Sequence, residues 1–377
     1  MKVALELQPC CGNRSGIGTY TYELSKRLHN QNGLEFLGNV FDYCNKEKNC
    51  LDVNEFQFPV QKCAKLPYSV YRRIWNYVPI SYWSLFESKA DIGVFFDYII
   101  PPRFSGKAIQ VIHDLSYLQF PETMSKRNLR RLQDGLMSSV ERSDRIVTIS
   151  EFSRSEIIKL LHVPREKIDI VSPAPANSMQ AKECISTEIE LNLNIWKPYI
   201  LYVGTIEPRK NLVRLIRAFD HLKQVDKIPH QLVLAGGPGW GNKEIYETAG
   251  KSSCAEDIRF AGYVSDAEKS ALYRNADAFV FPSLYEGFGI PPLEAMEMNC
   301  PVICANAASL PEVVGEAARL VEPLDEKSIA DGILEVLTDK DYADSLRKKG
   351  QEQFKKYTWD DSAKRLTEVC RRVSEEL

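Results

Sequence analysis

No stretch of this sequence stays apolar for the roughly 20 residues that a membrane-spanning helix needs, so integral insertion through a helix is not expected. Nor does either charge dominate. The 48 Lys and Arg stand against 51 Asp and Glu, a net charge of -3, which removes the basic field that nucleic acid demands. Paired C-x-x-C sets with zinc spacing are missing, so the ten cysteines read as reduced, mostly core thiols and point to the cytosol. The segment Met1-Lys2-Val3-Ala4-Leu5-Glu6-Leu7 is too short and too soon charged for a secretion signal. Membrane contact is therefore expected to be peripheral at most, on the cytoplasmic face.

What is present is enough for two cores: 377 residues, 44% of them hydrophobic. Short runs rich in β-branched and aromatic residues alternate with helical stretches. In the first half they are Val3–Leu7, Ile92–Phe96, Ile109–Ile112, Arg145–Ile149 and Ile168–Val171. In the second they are Tyr199–Val203, Gln231–Ala235, Ile258–Ala261, Ala278–Phe281, Val302–Ala305 and Arg319–Val321. Wholly apolar strands between amphipathic helices imply parallel sheets covered on both faces. Ser153-x-x-Glu156 and Ser265-x-x-Glu268 read as capping boxes. The predicted class is α/β, with two Rossmann-like domains facing each other across a cleft and joined through Pro173–Pro198. Residues 1–174 would form one domain and 175–357 the other.

The richest motif runs Val280-Phe281-Pro282-Ser283-Leu284-Tyr285-Glu286-Gly287-Phe288-Gly289-Ile290-Pro291-Pro292-Leu293-Glu294. A strand end, glycines that let a ligand approach the backbone and prolines suited to a first helical turn imply free amides that favour phosphate or hydroxyl acceptors. Glu286 and Glu294, on either side, can each accept two sugar hydroxyls. After Tyr199–Val203 comes Gly204-Thr205-Ile206-Glu207-Pro208-Arg209-Lys210-Asn211, whose adjacent cations suit a diphosphate, Arg by a forked contact and Lys as a point charge.

The loop Gly12-Asn13-Arg14-Ser15-Gly16-Ile17-Gly18 follows the first strand. Thr21 occupies the place of a third fingerprint glycine, and no acidic residue closes a convincing second strand about 20 residues on, so a nicotinamide site is not expected. His113 alone of five histidines follows a predicted strand. The sole D-x-D, Asp339-Lys340-Asp341, lies between polar helices and reads as a helix cap rather than a metal ligand.

Together the Glu286-x7-Glu294 element, Gly204-Thr-Ile-Glu-Pro-Arg-Lys-Asn and His113-Asp-Leu resemble the retaining glycosyltransferases of family 4, of GT-B fold. The resemblance covers nearly the whole chain and extends to Tyr357-Thr358-Trp359, from which a last helix, 358–377, would cross back to the N-terminal domain. It implies transfer without a metal or other cofactor, with the nucleotide-sugar donor on the C-terminal domain and the acceptor on the N-terminal one. Glu294 would hold the ribose hydroxyls, Glu286 with the amides of Phe288, Gly289 and Ile290 the donor sugar, and Arg209 and Lys210 the departing diphosphate. Gly204 belongs to the same donor loop, Gly16 and Gly18 would approach the diphosphate or acceptor, and His113 the transferred sugar.

Within that family the wording His113-Asp-Leu-Ser-Tyr-Leu with Phe120-Pro121-Glu122 and Ile149-Ser150-Glu151-Phe152-Ser153 is most similar to bacterial mannosyltransferases that build surface polysaccharides, lipopolysaccharide among them, from GDP-mannose. UDP- or dTDP-sugars remain open, as does a non-catalytic nucleotide-sugar binding protein. Aromatics interleaved with arginine over Pro67–Trp83 suit a membrane interface or the stacking of sugar rings, and with the basic run Lys126–Arg131 they lead to the expectation of a lipid-linked oligosaccharide or polysaccharide acceptor and a peripheral contact with the inner membrane.

Overall fold

The computed structural model describes residues 1–12, 16–31, 33–43, 51–175 and 193–375. The chain divides into two compact units, one of Met1–Leu115, Lys126–Pro173 and Thr358–Leu377, the other of Ser116–Ser125 and Ala174–Tyr357. Most of the expected linker, 176–192, lies outside the described residues, as do Asn13, Arg14 and Ser15 of the first glycine loop.

The first unit carries seven parallel strands: β1 (Lys2–Glu6), β2 (Glu35–Phe41), β3 (Val60–Cys63), β4 (Ile92–Phe95), β5 (Lys107–Val111), β6 (Arg145–Thr148) and β7 (Ile168–Ile170). Their order is β3-β2-β1-β4-β5-β6-β7, so the chain starts at the middle of the sheet, works to one edge and returns to fill the other. Val3 pairs with Phe36 on one side and Ile92 on the other, and all three are buried. This is the doubly wound arrangement whose ligands sit beyond the carboxyl ends of the strands.

The expectation that no acidic residue closes a convincing second strand about 20 residues after the glycine loop is corrected by β2. The Gly38-Asn39 pair breaks the apolar run of β2 to the eye, but Gly38 is where neighbouring side chains press in: a Cβ there would stand 2.5 Å from Leu7 Cδ1 and 3.0 Å from Val60 Cγ2. Asp42 follows the strand directly, and Lys62 holds one of its oxygens at 3.1 Å. A second correction concerns the capping box at Ser153. The helix starts earlier, at Glu151, because Ser150 accepts from the Ser153 amide at 3.0 Å, while the Ser153 hydroxyl turns inward to the His113 carbonyl at 3.2 Å.

Three helices of this unit flank its glycine loop and its cationic segments: α1 (Gly16–Arg27), α2 (Tyr68–Ile74) and α3 (Lys126–Arg142). The C-terminal helix Trp359–Glu375 also belongs to it. The Ser362 hydroxyl donates to the Ser172 carbonyl, Arg372 pairs with Asp169 at 2.7 Å, and Trp359 packs edge-on against Tyr20 of α1.

The second unit repeats the winding with six strands instead of seven. Strands β8 (Tyr199–Val203), β9 (Gln231–Ala235), β10 (Ile258–Gly262), β11 (Ala278–Phe281), β12 (Val302–Ala305) and β13 (Ala318–Val321) lie in the order β10-β9-β8-β11-β12-β13. Every residue of β8, β9, β11 and β12 is buried, as expected of strands covered on both faces. The helices around the site are α4 (Leu212–His221), α5 (Asp266–Asn275) and α6 (Ile290–Glu297). Ser265 and Glu268 form the expected capping box at the start of α5. Asp339 caps the helix Lys340–Gln353 by accepting from the Tyr342 amide, so the D-x-D motif serves as a helix cap. Among the described residues no helix is long and apolar enough to cross a membrane.

Candidate functional site

In the second unit the strand order reverses between β8 and β11, which run side by side, and the loops leaving their carboxyl ends are locked together. The Leu284 amide donates to the Arg209 carbonyl at 2.9 Å. Asn211 sits in the left-handed region at φ 62° and donates to the carbonyls of Pro282 at 3.1 Å and Pro323 at 2.6 Å. A buried amide side chain thus ties two other loops to the start of α4.

That frame brings Glu286, Arg209 and Lys210 together. Lys210 is 9% exposed and donates to Glu286 Oε1 at 2.5 Å, its ammonium also lying 5.5 Å from the Phe281 ring. Arg209 reaches Glu286 Oε2 at 3.2 Å, the Tyr285 carbonyl at 2.7 Å and Glu207 at 2.8 Å. Burial pushes the Glu286 carboxyl up, but Lys210 and Arg209 outweigh it and hold the group below the usual carboxylate range. It is ionised at neutral pH. Each carboxylate oxygen keeps lone-pair capacity beyond its cation, so the group can still accept a hydroxyl.

Glu294 lies one helical stretch further, on α6, and is 6% exposed. Lys269 donates to its Oε1 at 2.8 Å and the Tyr273 hydroxyl to its Oε2 at 3.1 Å. Lys269 and Tyr273 are four residues apart on α5, the spacing that puts two side chains on one helix face. Sequence reasoning missed both. The signal was available in the Ser265 capping box, which fixes the phase of that helix.

Between the two carboxylates, Gly289 adopts φ 103° and a Cβ on it would meet Leu310 Cδ2 at 2.6 Å. Only glycine fits there. Pro291 and Pro292 occupy the first turn of α6, where their missing N–H groups cost nothing. Among the described residues, the amides of Phe288, Gly289 and Ile290 donate to no protein group. The loop is held from behind by Ser309, whose hydroxyl lies 2.9 Å from the carbonyls of both Glu286 and Phe288, another contact that sequence reasoning did not anticipate. Gly204 follows β8 and shares the floor: its amide donates to the Ala235 carbonyl, and its own carbonyl leaves no room for a Cβ on Gly236, which would stand 1.9 Å away. Two buried carboxylates, three cations and a row of unpaired amides at a helix start can hold a polyol joined to a phosphate.

The remaining predicted residues belong to the first unit. Gly16 opens α1 and is exposed, while Gly18 is buried two residues later. His113 follows β5 and is buried, with Nε2 2.9 Å from the Phe96 carbonyl and the ring edge-on to Tyr20 at 5.0 Å. A carbonyl only accepts, so Nε2 carries the proton and Nδ1 is left as an acceptor. Burial lowers the pKa of this imidazole, and the Phe96 bond and Asp114 only partly restore it. Glu6, at the end of β1, escaped notice in the sequence. Its carboxyl is buried and pushed up to about 8 by burial and by Asp97, against the pull of Arg72, a hydrogen bond with Tyr68, and Arg131.

Residues 188–353, which contain the whole second-unit site, match the family described as glycosyl transferases group 1. The chain is 32% identical over 378 residues to O-antigen chain mannosyltransferase B of Escherichia coli, covering 96% of this chain and 97% of that one. It is 31% identical over 217 residues to O-antigen chain mannosyltransferase RfbU of Salmonella typhimurium, covering 58% of this chain and 57% of that one. Among solved structures, sucrose-phosphate synthase from Thermosynechococcus elongatus aligns with a TM-score of 0.77 at 18% identity over 100% of both chains. That likeness shows the GT-B fold and carries nothing of the substrate.

Proposed function

We propose, from the premise that this chain belongs to the group 1 glycosyl transferases and is therefore a glycosyltransferase, that it moves mannose from GDP-mannose to a lipid-linked oligosaccharide or polysaccharide acceptor. The choice of mannose and of a surface-polysaccharide acceptor is supported by the full-length relative from Escherichia coli. The observation that carries the donor assignment is the meeting of Glu286, Arg209 and Lys210 with the unpaired amides of Phe288–Ile290 at the ends of β8 and β11.

In this reading Glu294 accepts the ribose hydroxyls and Glu286 the hydroxyls of the sugar. The bond between the sugar C1 and the diphosphate oxygen breaks, and the negative charge left on that oxygen develops beside Arg209 and Lys210, where fixed cations lower the barrier most. An acceptor hydroxyl attacks C1 from the same face and its proton passes to the departing phosphate oxygen, so the configuration is retained. A retaining hydrolase would need a carboxylate nucleophile on the opposite face. Here both carboxylates are occupied by cations and a tyrosine hydroxyl and serve binding. The cations do the work that a divalent metal does elsewhere, so none is required, and the enzyme acts at the cytoplasmic face of the membrane.

A thermal-shift panel of GDP-mannose, UDP-glucose, UDP-galactose, UDP-GlcNAc and dTDP-rhamnose tests the donor. A ligand present at about 100 times its Kd stabilises the folded state by about 2.7 kcal/mol. GDP-mannose should give the largest shift. No shift with any of the five would sink the donor assignment.

A further inference from the structure

The first unit contains a cavity of about 650 Å³ that no residue of the donor site lines; Arg72 and Arg131, which act on Glu6, are among its walls. Its walls come from α2, α3 and the segment after β4, and they hold seven Lys or Arg against a single acidic residue, Asp134. Two of the cations are already spent on structure. Arg131 forks onto the Asp97 carboxylate at 2.7 and 2.6 Å, and Arg142 caps the carbonyls of Pro101 at 2.9 Å and Ile100 at 2.6 Å. The others face the cavity without a carboxylate at ion-pair distance among the described residues: Arg72 and Arg73 from α2, and Lys126, Arg127 and Arg130 from α3.

The placement on α3 runs against the interests of the helix itself. Lys126 and Arg127 open it, and no acidic residue lies in its first turn, so like charge is stacked on the positive end of the macrodipole. A sequence selected only for folding would put Asp or Glu there, and a broken local rule of this kind marks function. Trp75, Ile99 and Pro102 add an apolar wall to the cationic one. Neutral sugar hydroxyls have no use for this much positive charge. A phosphate ester does, and the volume leaves room for a sugar or hydrocarbon beside it.

We propose that this cavity binds the phosphate or diphosphate group that links the glycan acceptor to its lipid, with Arg73, Lys126, Arg127 and Arg130 as the anion's ligands. The proposal rests on the reading of the acceptor as lipid-linked and assigns that acceptor a place. Glu6 lies behind Arg72 and Arg131 and does not cancel their charge, because its buried carboxyl keeps its proton at neutral pH.

Inorganic pyrophosphate is the probe, titrated calorimetrically into the full chain and into the double variant Arg127→Gln/Arg130→Gln. Both positions are exposed, so the variant should melt as the parent does. Pyrophosphate that binds at Arg209 and Lys210 is untouched by these changes, so any difference reads the α3 cavity. The expected result is a saturable component that weakens roughly tenfold to a hundredfold in the variant, while the thermal shift given by GDP-mannose is unchanged. Equal pyrophosphate binding by parent and variant overturns the proposal. So does a parent that ignores pyrophosphate but sediments with phosphatidylglycerol vesicles and not phosphatidylcholine vesicles in an Arg127- and Arg130-dependent way, since the face would then be a membrane patch. Loss of the GDP-mannose shift in the parent would strike the donor reading and leave the cavity result standing.

Discussion

Replacing Glu6 by Gln should make the protein more stable at pH 7, and by an amount that depends on pH in a definite way. In the unfolded chain the carboxyl titrates near its ordinary value of 4.5, whereas in the folded chain burial and Asp97 push it up to about 8. Between those values the folded state holds a proton that the unfolded state has lost. The sign follows directly: the contribution of Glu6 is present in full below about pH 4.5, declines as pH rises and is gone by about pH 8. At pH 7 the folded chain must bind a proton two and a half pH units above its unfolded pKa, which at about 1.36 kcal/mol for each unit costs about 3 kcal/mol. The group is fully buried, so no discount for solvent screening applies. Gln keeps the shape and cannot ionise.

Urea unfolding followed by tryptophan fluorescence reads this well, because Trp75, Trp83 and Trp359 are buried in the first unit while Trp196 and Trp240 of the second are half exposed. Trp75 and Trp83 sit in the aromatic cluster with Tyr71 and Tyr82, two phenols within electrostatic reach of Glu6. The difference in stability between Glu6→Gln and the parent should grow by about 2.5 kcal/mol from pH 5 to pH 7. A constant Gln penalty from an altered hydrogen bond with Tyr68 shifts the whole series and leaves the slope. A difference that does not change between pH 5 and pH 7 would refute the account of Glu6 as a proton-bearing buried group.

In the donor site, Lys210→Met leaves Glu286 buried with a single cation, and losing one partner of a buried pair costs roughly 3–5 kcal/mol; kcat should also fall about a hundredfold, measured as mannose transfer. The double variant Lys210→Met/Glu286→Leu should regain most of that stability in a thermal melt and none of the turnover. Glu294→Ala removes the acceptor facing Lys269 and Tyr273 and should weaken GDP-mannose binding roughly tenfold or more by calorimetry; an unchanged Kd would remove Glu294 from the donor site. Gly289→Ala, forced to hold φ 103° with its Cβ against Leu310, should cost about 1–3 kcal/mol and lower Tm.

Strands such as Tyr199–Val203 and Ala278–Phe281 were legible in the sequence because they are apolar throughout and buried on both faces, the one condition under which composition alone marks a parallel strand. Val60–Cys63 was not, since it is an edge strand with Gln61 and Lys62 turned partly to water, and Glu35–Phe41 was hidden by the Gly38-Asn39 break. The same contrast governs the site. Gly289, Pro291 and Pro292 act through their own backbones, so their meaning travels with the local sequence. Ion-pair partners do not. Lys210 meets Glu286 across 76 positions and Lys269 meets Glu294 across 25; the winding of β8 beside β11 brings the first pair together, and the packing of α5 against α6 the second. Arg209 and Lys210 therefore read as cations waiting for a diphosphate, whereas the fold pairs them with Glu286. A buried ion pair contributes little net stability against a well-packed apolar alternative. Its value here lies in geometry: the carboxylate holds both cations at one strand end, so that, in the proposed donor reading, a phosphate would meet charges already in place and the ordering of two long side chains would fall on folding rather than on binding.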